Sequence, residues 1–202
     1  MKRSALIVDD HPSIRLALGI TLGQLGFDDI DECDNGIDAI HYIKNKSYKI
    51  VILDIGILNI DGMTVIDTVR KLEIRTKFLV YTALASDVYA QRSFRAGACG
   101  FVSKSDSMDS VATAVKAIDA GYSFFPKMVI HTSPQRHPFE TLSNRELAVL
   151  RKITLGLSNN EIAENMCLSN KTVSTYKTRI MKKLGVSNLV ELIAVANCEK
   201  VN

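Results

Sequence analysis

Ile50-Val51-Ile52-Leu53-Asp54 is a run of four branched apolar residues leading straight into a carboxylate. An uninterrupted apolar run of this length suits a strand covered on both faces, as in the middle of a parallel sheet flanked by helices. Asp54 then stands at the strand's C-terminal end. In open α/β sheets that edge binds ligands, because loops leave it from a rigid scaffold. Two other segments read the same way: Ala5-Leu6-Ile7-Val8 runs into Asp9 and Asp10, and Phe78-Leu79-Val80-Tyr81 into Thr82 and Ala83. As parallel neighbours, the three would bring three carboxylates and a hydroxyl into one pocket.

Between these runs the apolar spacing turns helical. Pro12 opens a helix whose stripe is Ile14, Leu16, Ala17, Leu18, Ile20, Thr21, Leu22 and Leu25, ended by Gly26. An edge strand follows around Ile30 to Cys33, then Asn35-Gly36 and a helix through Ile37, Ile40, Ile43 and Lys44. Past the central strand, a loop to Gly62 precedes a helix carrying Met63, Val65, Ile66, Val69 and Leu72. After the next strand, a helix capped near Ser86 or Asp87 ends at Gly97. A short strand, Gly100-Phe101-Val102, then delivers Ser103 and Lys104 to the same sheet edge. A last helix, opened by Asp106 or Ser107, stops at Gly121. Strands and helices alternating in this way predict an α/β doubly wound five-stranded parallel sheet over residues 1–121.

From 122 to 137 the sequence changes to aromatic, proline and hydroxyl residues, read as a linker in which Pro126 and Pro134 prevent any long helix. Residues 138–202 predict a small all-α four-helix domain. Ser143-Asn144-Arg145-Glu146 and Ser158-Asn159-Asn160-Glu161 are two capping boxes that mark helix starts. Ser169 opens a third helix with Val173, Tyr176, Ile180 and Leu184 on its buried face, ended by Gly185. A fourth helix begins near Asn188. The short link Met166-Cys167-Leu168 has the spacing of a helix-turn-helix.

The chain of 202 residues has no apolar run near the roughly 20 residues a bilayer span needs, and no signal-peptide start, so a cytoplasmic protein without membrane contact is expected. Cys33, Cys99, Cys167 and Cys198 form no Cys-x-x-Cys pair, which argues against zinc and disulfides and for small buried hydrophobes. The net charge of +3 hides an asymmetry. Between Asn170 and Gly185, Lys171, Lys177, Arg179, Lys182 and Lys183 occur with no acid among them, the signature of a polyanion partner.

Three aspartates in one pocket ionise together only beside a cation, and Mg²⁺, a hard ion that prefers oxygen ligands, is the natural one. A carboxylate can also accept a phosphoryl group as an acyl phosphate. Asp9-Asp10, Asp54, Thr82-Ala83 and Lys104 resemble the receiver domain of two-component response regulators, which has a flavodoxin-like fold. Leu142 to Glu146, Gly156 to Ala163 and Ser169 to Val173 resemble the LuxR/NarL-type DNA-binding domain. The resemblance implies that Asp54 is the phosphoacceptor, loaded by a sensor histidine kinase, and that Asp9, Asp10, Asp54 and the Gly56 carbonyl hold Mg²⁺. It further implies that Thr82 and Lys104 bind the phosphoryl group and that Phe101 is the switch aromatic partnered by Thr82. Self-phosphorylation from a phosphodonor and slow self-dephosphorylation would be the protein's whole chemistry, so it would not be an enzyme. Leu58 stands where the family usually has proline.

On the third helix, Lys171, Ser174, Thr175 and Thr178 recur on one face with Thr172 beside them and Lys177, Arg179 and Lys182 flanking, a face suited to promoter DNA. The family also implies a homodimer, formed on DNA through the last helix. Two rivals stand beside this regulator: a Mg²⁺-dependent phosphohydrolase with an aspartyl nucleophile, and a DNA-binding regulator whose receiver works without phosphorylation. The hydrolase would want an acid two residues after its nucleophile, where Gly56 stands.

Overall fold

The computed structural model describes residues 3–126 and 138–198, apart from the side chains of Asp87, Pro138 and Cys198. The chain divides into two units, Met1–Met128 and Val129–Asn202. In the first, strands β1 Ser4–Val8, β2 Asp29–Cys33, β3 Ile50–Leu53, β4 Phe78–Thr82 and β5 Gly100–Ser103 alternate with helices. These are α1 Pro12–Gln24, α2 Gly36–Asn45, α3 Gly62–Lys71, α4 Ser86–Ala96 and α5 Met108–Asp119. All strand pairs are parallel, in the order β2-β1-β3-β4-β5. Ile52 on β3 lies beside Ile7 on one side and Leu79 on the other, and all of β3 is buried, as its unbroken apolar run requires. One face of the sheet packs Ala5, Ile7, Ile50, Ile52 and Leu79 against Leu18 and Leu22 of α1 and Val111, Val115 and Ile118 of α5. Strand order reverses between β1 and β3, so the crevice at their C-terminal ends is the topological switch point.

The helix stripes are narrower than the sequence implies. Leu16 and Ile20 on α1 are 66% and 57% exposed, and Ile37 on α2 is exposed while Ala39 and Ile43 fill the interface. A helix that touches the sheet along one line buries only the residues on that line. Ala85, rather than Ser86 or Asp87, stands at the N-cap of α4, and neither it nor Ser107 before α5 makes a side-chain cap bond. Of the cysteines, Cys33 is buried and Cys99 half-buried, but Cys167 is exposed in a turn; Cys198's side chain lies outside the described residues.

The predicted linker begins too early. The Phe124 N–H donates to the Cys99 carbonyl (3.0 Å), and the Phe101 N–H donates to the Phe124 carbonyl (2.7 Å). Phe125 meets Phe94 of α4 edge-to-face, centroids 5.4 Å apart. Residues 122–126 therefore lie along β5, satisfying an edge that would otherwise be bare. Linker residues 127–137, with the expected Pro134, lie outside the described residues.

The second unit holds a 3₁₀ turn, Pro138–Thr141, then α6 Asn144–Thr154, α7 Asn159–Asn165, α8 Asn170–Leu184 and α9 Leu189–Cys198. Both capping boxes form: the Ser143 and Ser158 N–H groups each donate to a glutamate, Glu146 and Glu161, at 2.7 Å. Phe139, Leu147, Leu150, Ile162, Val173, Ile180 and Leu192 make the core. Tyr176 and Leu184, expected in that core, are half-buried.

Glu146 is itself buried, and Lys183 Nζ lies 2.6 Å from its Oε2. Burial pushes its carboxyl up, but the Lys183 and Ser143 bonds outweigh this and hold it below its ordinary range. A depressed folded-state pKa contributes stability that is complete above the unfolded value, about 4.3, and is lost as pH falls through the folded value. We expect Glu146→Gln to cost about 1–2 kcal/mol at pH 7 and to flatten the acid limb of the unfolding curve below about pH 4. Thermal melts of the full chain between pH 7 and 3 read both effects, and an unchanged acid limb would refute the role of this carboxylate.

Candidate functional site

The strand ends bring Asp9, Asp10, Asp54, Thr82 and Lys104 together. Asp9 is 1% exposed and Thr82 fully buried, whereas Asp10 sits at the mouth. Lys104 Nζ lies 2.6 Å from Asp9 Oδ2 and 2.7 Å from Asp54 Oδ2. The Gly56 N–H donates to the other Asp54 oxygen, Oδ1, at 3.0 Å. Burial alone would lower the Lys104 pKa, but Asp54 and Asp9 raise it above the ordinary lysine value, so the ammonium stays charged. Three carboxylates against one ammonium leave the pocket net negative. The three aspartates offer hard carboxylate oxygens, which suit Mg²⁺, beside the His11 ring nitrogen.

β4 and β5 are joined at this edge by the Lys104 N–H, which donates to the Thr82 carbonyl at 2.8 Å. The Leu84 N–H reaches Thr82 Oγ1 only at 3.4 Å, leaving that hydroxyl weakly held. Phe101 is buried one strand over. Leu58, in place of the usual proline, pairs with Asn35, and the Gly36 N–H donates to its carbonyl at 3.2 Å. The loop after β3 is thus tied to the start of α2.

The sequence reading passed over two groups. The His11 N–H donates to Asp9 Oδ1 (3.0 Å), and its Nδ1 stands 2.7 Å from Asp10 Oδ1. Arg15 Nη1 donates to the Asp9 carbonyl at 2.8 Å. The adjacency of His11 to Asp10 was the available signal for the first. Nothing in the sequence marked Arg15, which reaches back a full turn from α1.

In the second unit, α8 exposes Lys171, Ser174, Thr175, Thr178, Arg179 and Lys182 on one continuous stripe, while Lys177 and Thr172 are half-buried. The Thr172 hydroxyl is engaged with Ser169 Oγ at 2.8 Å, which turns it toward the helix cap. Lys183, part of the basic run, is turned instead to Glu146. From α7, Asn159 Nδ2 donates to Ser174 Oγ at 3.2 Å and Asn160 pairs with Asn170, two contacts that only folding reveals. On α9, Leu192 and Ala196 are buried, whereas Leu189 and Ala194 are exposed and Val190 is 77% exposed.

Comparisons with known proteins agree with both halves. The family described as the response regulator receiver domain matches residues 5–116, and that described as bacterial regulatory proteins of the luxR family matches residues 140–196. The chain is 41% identical to the virulence-factor transcription regulator BvgA of Bordetella pertussis, with 97% of each chain covered. It is 34% identical to the DNA-binding transcriptional activator EvgA of Escherichia coli K12, covering 98% of this chain and 99% of the relative. The response regulator RcsB of Salmonella typhimurium superposes with TM-score 0.77 at 23% identity, covering 99% and 100% of the two chains, a likeness of fold alone. RcsB is also known as dimers bound to DNA. Among the described residues no helix is long and apolar enough to cross a membrane. The phosphohydrolase rival therefore falls, and the chain belongs to the LuxR-type response regulators: a receiver domain followed by a LuxR-type DNA-binding domain, a DNA-binding transcription regulator and not an enzyme.

Proposed function

We propose that Asp54 accepts a phosphoryl group from a sensor histidine kinase in the cytoplasm and that this drives the protein to bind promoter DNA as a homodimer. The observation that carries the reading is the grip of Lys104 on Asp9 and Asp54, the two buried carboxylates at the switch point. An Asp54 oxygen attacks phosphorus, a P–O bond forms, and the donor's P–N bond breaks, leaving an acyl phosphate. Asp9, Asp10, Asp54 and the Gly56 carbonyl are the groups that would hold Mg²⁺, which when bound supplies positive charge to the phosphoryl oxygens. The Lys104 ammonium, already beside Asp54 Oδ2, is released from that carboxylate as the P–O bond takes up its charge and pairs with a phosphoryl oxygen instead. The Thr82 hydroxyl, weakly engaged by Leu84, turns to a phosphoryl oxygen, and Phe101 fills the space it leaves.

On DNA, Lys171, Lys177, Arg179 and Lys182 hold phosphates while Ser174, Thr175 and Thr178 face the bases. Thr172, engaged at the cap, positions the start of α8. The exposed apolar residues of α9, Leu189, Val190 and Ala194, meet a second copy. Dimerisation makes the second half-site contact intramolecular and so tightens binding without any new base contact.

The test is to measure mass and promoter affinity with and without Mg²⁺ and beryllofluoride, a phosphoryl mimic. We expect the dimer fraction to rise and affinity to increase by at least about tenfold, an equilibrium shift of about 1.4 kcal/mol. Unchanged mass and affinity with beryllofluoride bound would overturn this coupling, and a chain that takes no phosphoryl group from a small phosphodonor would favour the rival whose receiver works without phosphorylation.

A further inference from the structure

The outward face of α8 holds three short hydroxyl side chains, Ser174, Thr175 and Thr178, and their hydroxyls are not equivalent. Each carries a single hydrogen. Thr175 Oγ1 donates its hydrogen to the Lys171 carbonyl (2.9 Å), and Thr178 Oγ1 donates to the Ser174 carbonyl (3.1 Å). An oxygen bonded to the carbonyl one turn back lies against the helix backbone. In an exposed residue the γ-methyl then remains as the outer group. Ser174 is the opposite case: its oxygen accepts from Asn159 Nδ2, so its hydrogen is free to donate. The face thus offers two methyl groups and one hydroxyl donor, rimmed by Lys171, Arg179 and Lys182.

In the major groove only thymine displays a methyl group, and it carries an acceptor, O4, beside it. Thr175 and Thr178 are three residues apart, neighbours on one helix face at about 5–6 Å between Cβ atoms, close enough to address adjacent base pairs. We infer that Thr175 and Thr178 are specificity residues that recognise the 5-methyl groups of two neighbouring thymines in each half-site. This inference rests on the assignment of α8 as the DNA-reading helix.

Thymine and uracil differ only in that methyl, which makes the test selective. Duplexes selected from a random pool by the full chain, loaded with beryllofluoride, are resynthesised with uracil in place of one thymine at a time. We expect a loss of about fourfold at each of two adjacent positions and about fifteenfold for both together, the scale of one and two buried methyl groups. Thr175→Ser and Thr178→Ser, which keep the hydroxyl and lose the methyl, should each abolish the uracil penalty at one position. Thr175→Val and Thr178→Val, which keep the methyl and lose the hydroxyl, should retain it. If selected DNA binds but no uracil substitution weakens it, or the serine variants keep the penalty, methyl recognition is wrong and α8 still reads DNA by other contacts. If the full chain selects no duplex, the assignment of α8 falls and the inference falls with it.

Discussion

Asp54→Asn is expected to end phosphoryl incorporation while leaving the fold intact. Asparagine keeps an oxygen that can accept from the Gly56 N–H, and Lys104 keeps Asp9 at 2.6 Å, so packing around the site survives. The nucleophile does not survive, because an amide oxygen forms no stable acyl phosphate. The loss of one ion pair is set against relief of repulsion among three converging carboxylates, so stability should change by less than about 1 kcal/mol. Incubation with Mg²⁺ and labelled acetyl phosphate, read by intact mass, should show an adduct on the parent chain and none on the variant. An adduct of equal yield on the variant would overturn the assignment of Asp54.

Gly62→Ala should be among the costliest single-methyl changes in the receiver unit, and the one that bears on Asp54. A Cβ at Gly62 would stand 2.9 Å from Ile55 Cα and 3.1 Å from the Asp54 carbonyl carbon, and closer still to the Asp54 carbonyl oxygen. These are backbone atoms that cannot swing aside, so the loop after β3 must move and carry Asp54 with it. We expect a loss of about 3 kcal/mol in stability together with slower phosphorylation. Gly23→Ala is the internal control. It lies in α1 with nothing within 4 Å of the added methyl, and should stabilise by about 0.5–1 kcal/mol. Chemical denaturation of both variants tests the contrast, and equal midpoints would show that the approach of Gly62 to Asp54 is not tight.

The α/β alternation and the convergence of Asp9, Asp10, Asp54, Thr82 and Lys104 are legible in residue order alone. A strand buried on both faces must be apolar throughout, and its end must be polar, so run and carboxylate together mark a strand and its exit. The helix starts at Ser143 and Ser158 were equally legible, because a capping box is a purely local set of bonds. The sequence by itself determined the order of elements, the sheet edge where Asp9, Asp54 and Lys104 meet and the basic helix. Tertiary structure alone decided which apolar residues stay outside, as with Leu16, Ile20 and Val190, since a helix's contact line depends on what it packs against. It also turned Lys183 inward to Glu146, brought Arg15 back to Asp9, laid Phe124 along β5 and directed the threonine hydroxyls of α8 at its own carbonyls. The Lys183 and Phe124 contacts join residues distant in sequence, the Arg15 contact crosses the turn from β1 into α1, and the last is one rotamer among several that any helix allows, so no local pattern encodes them.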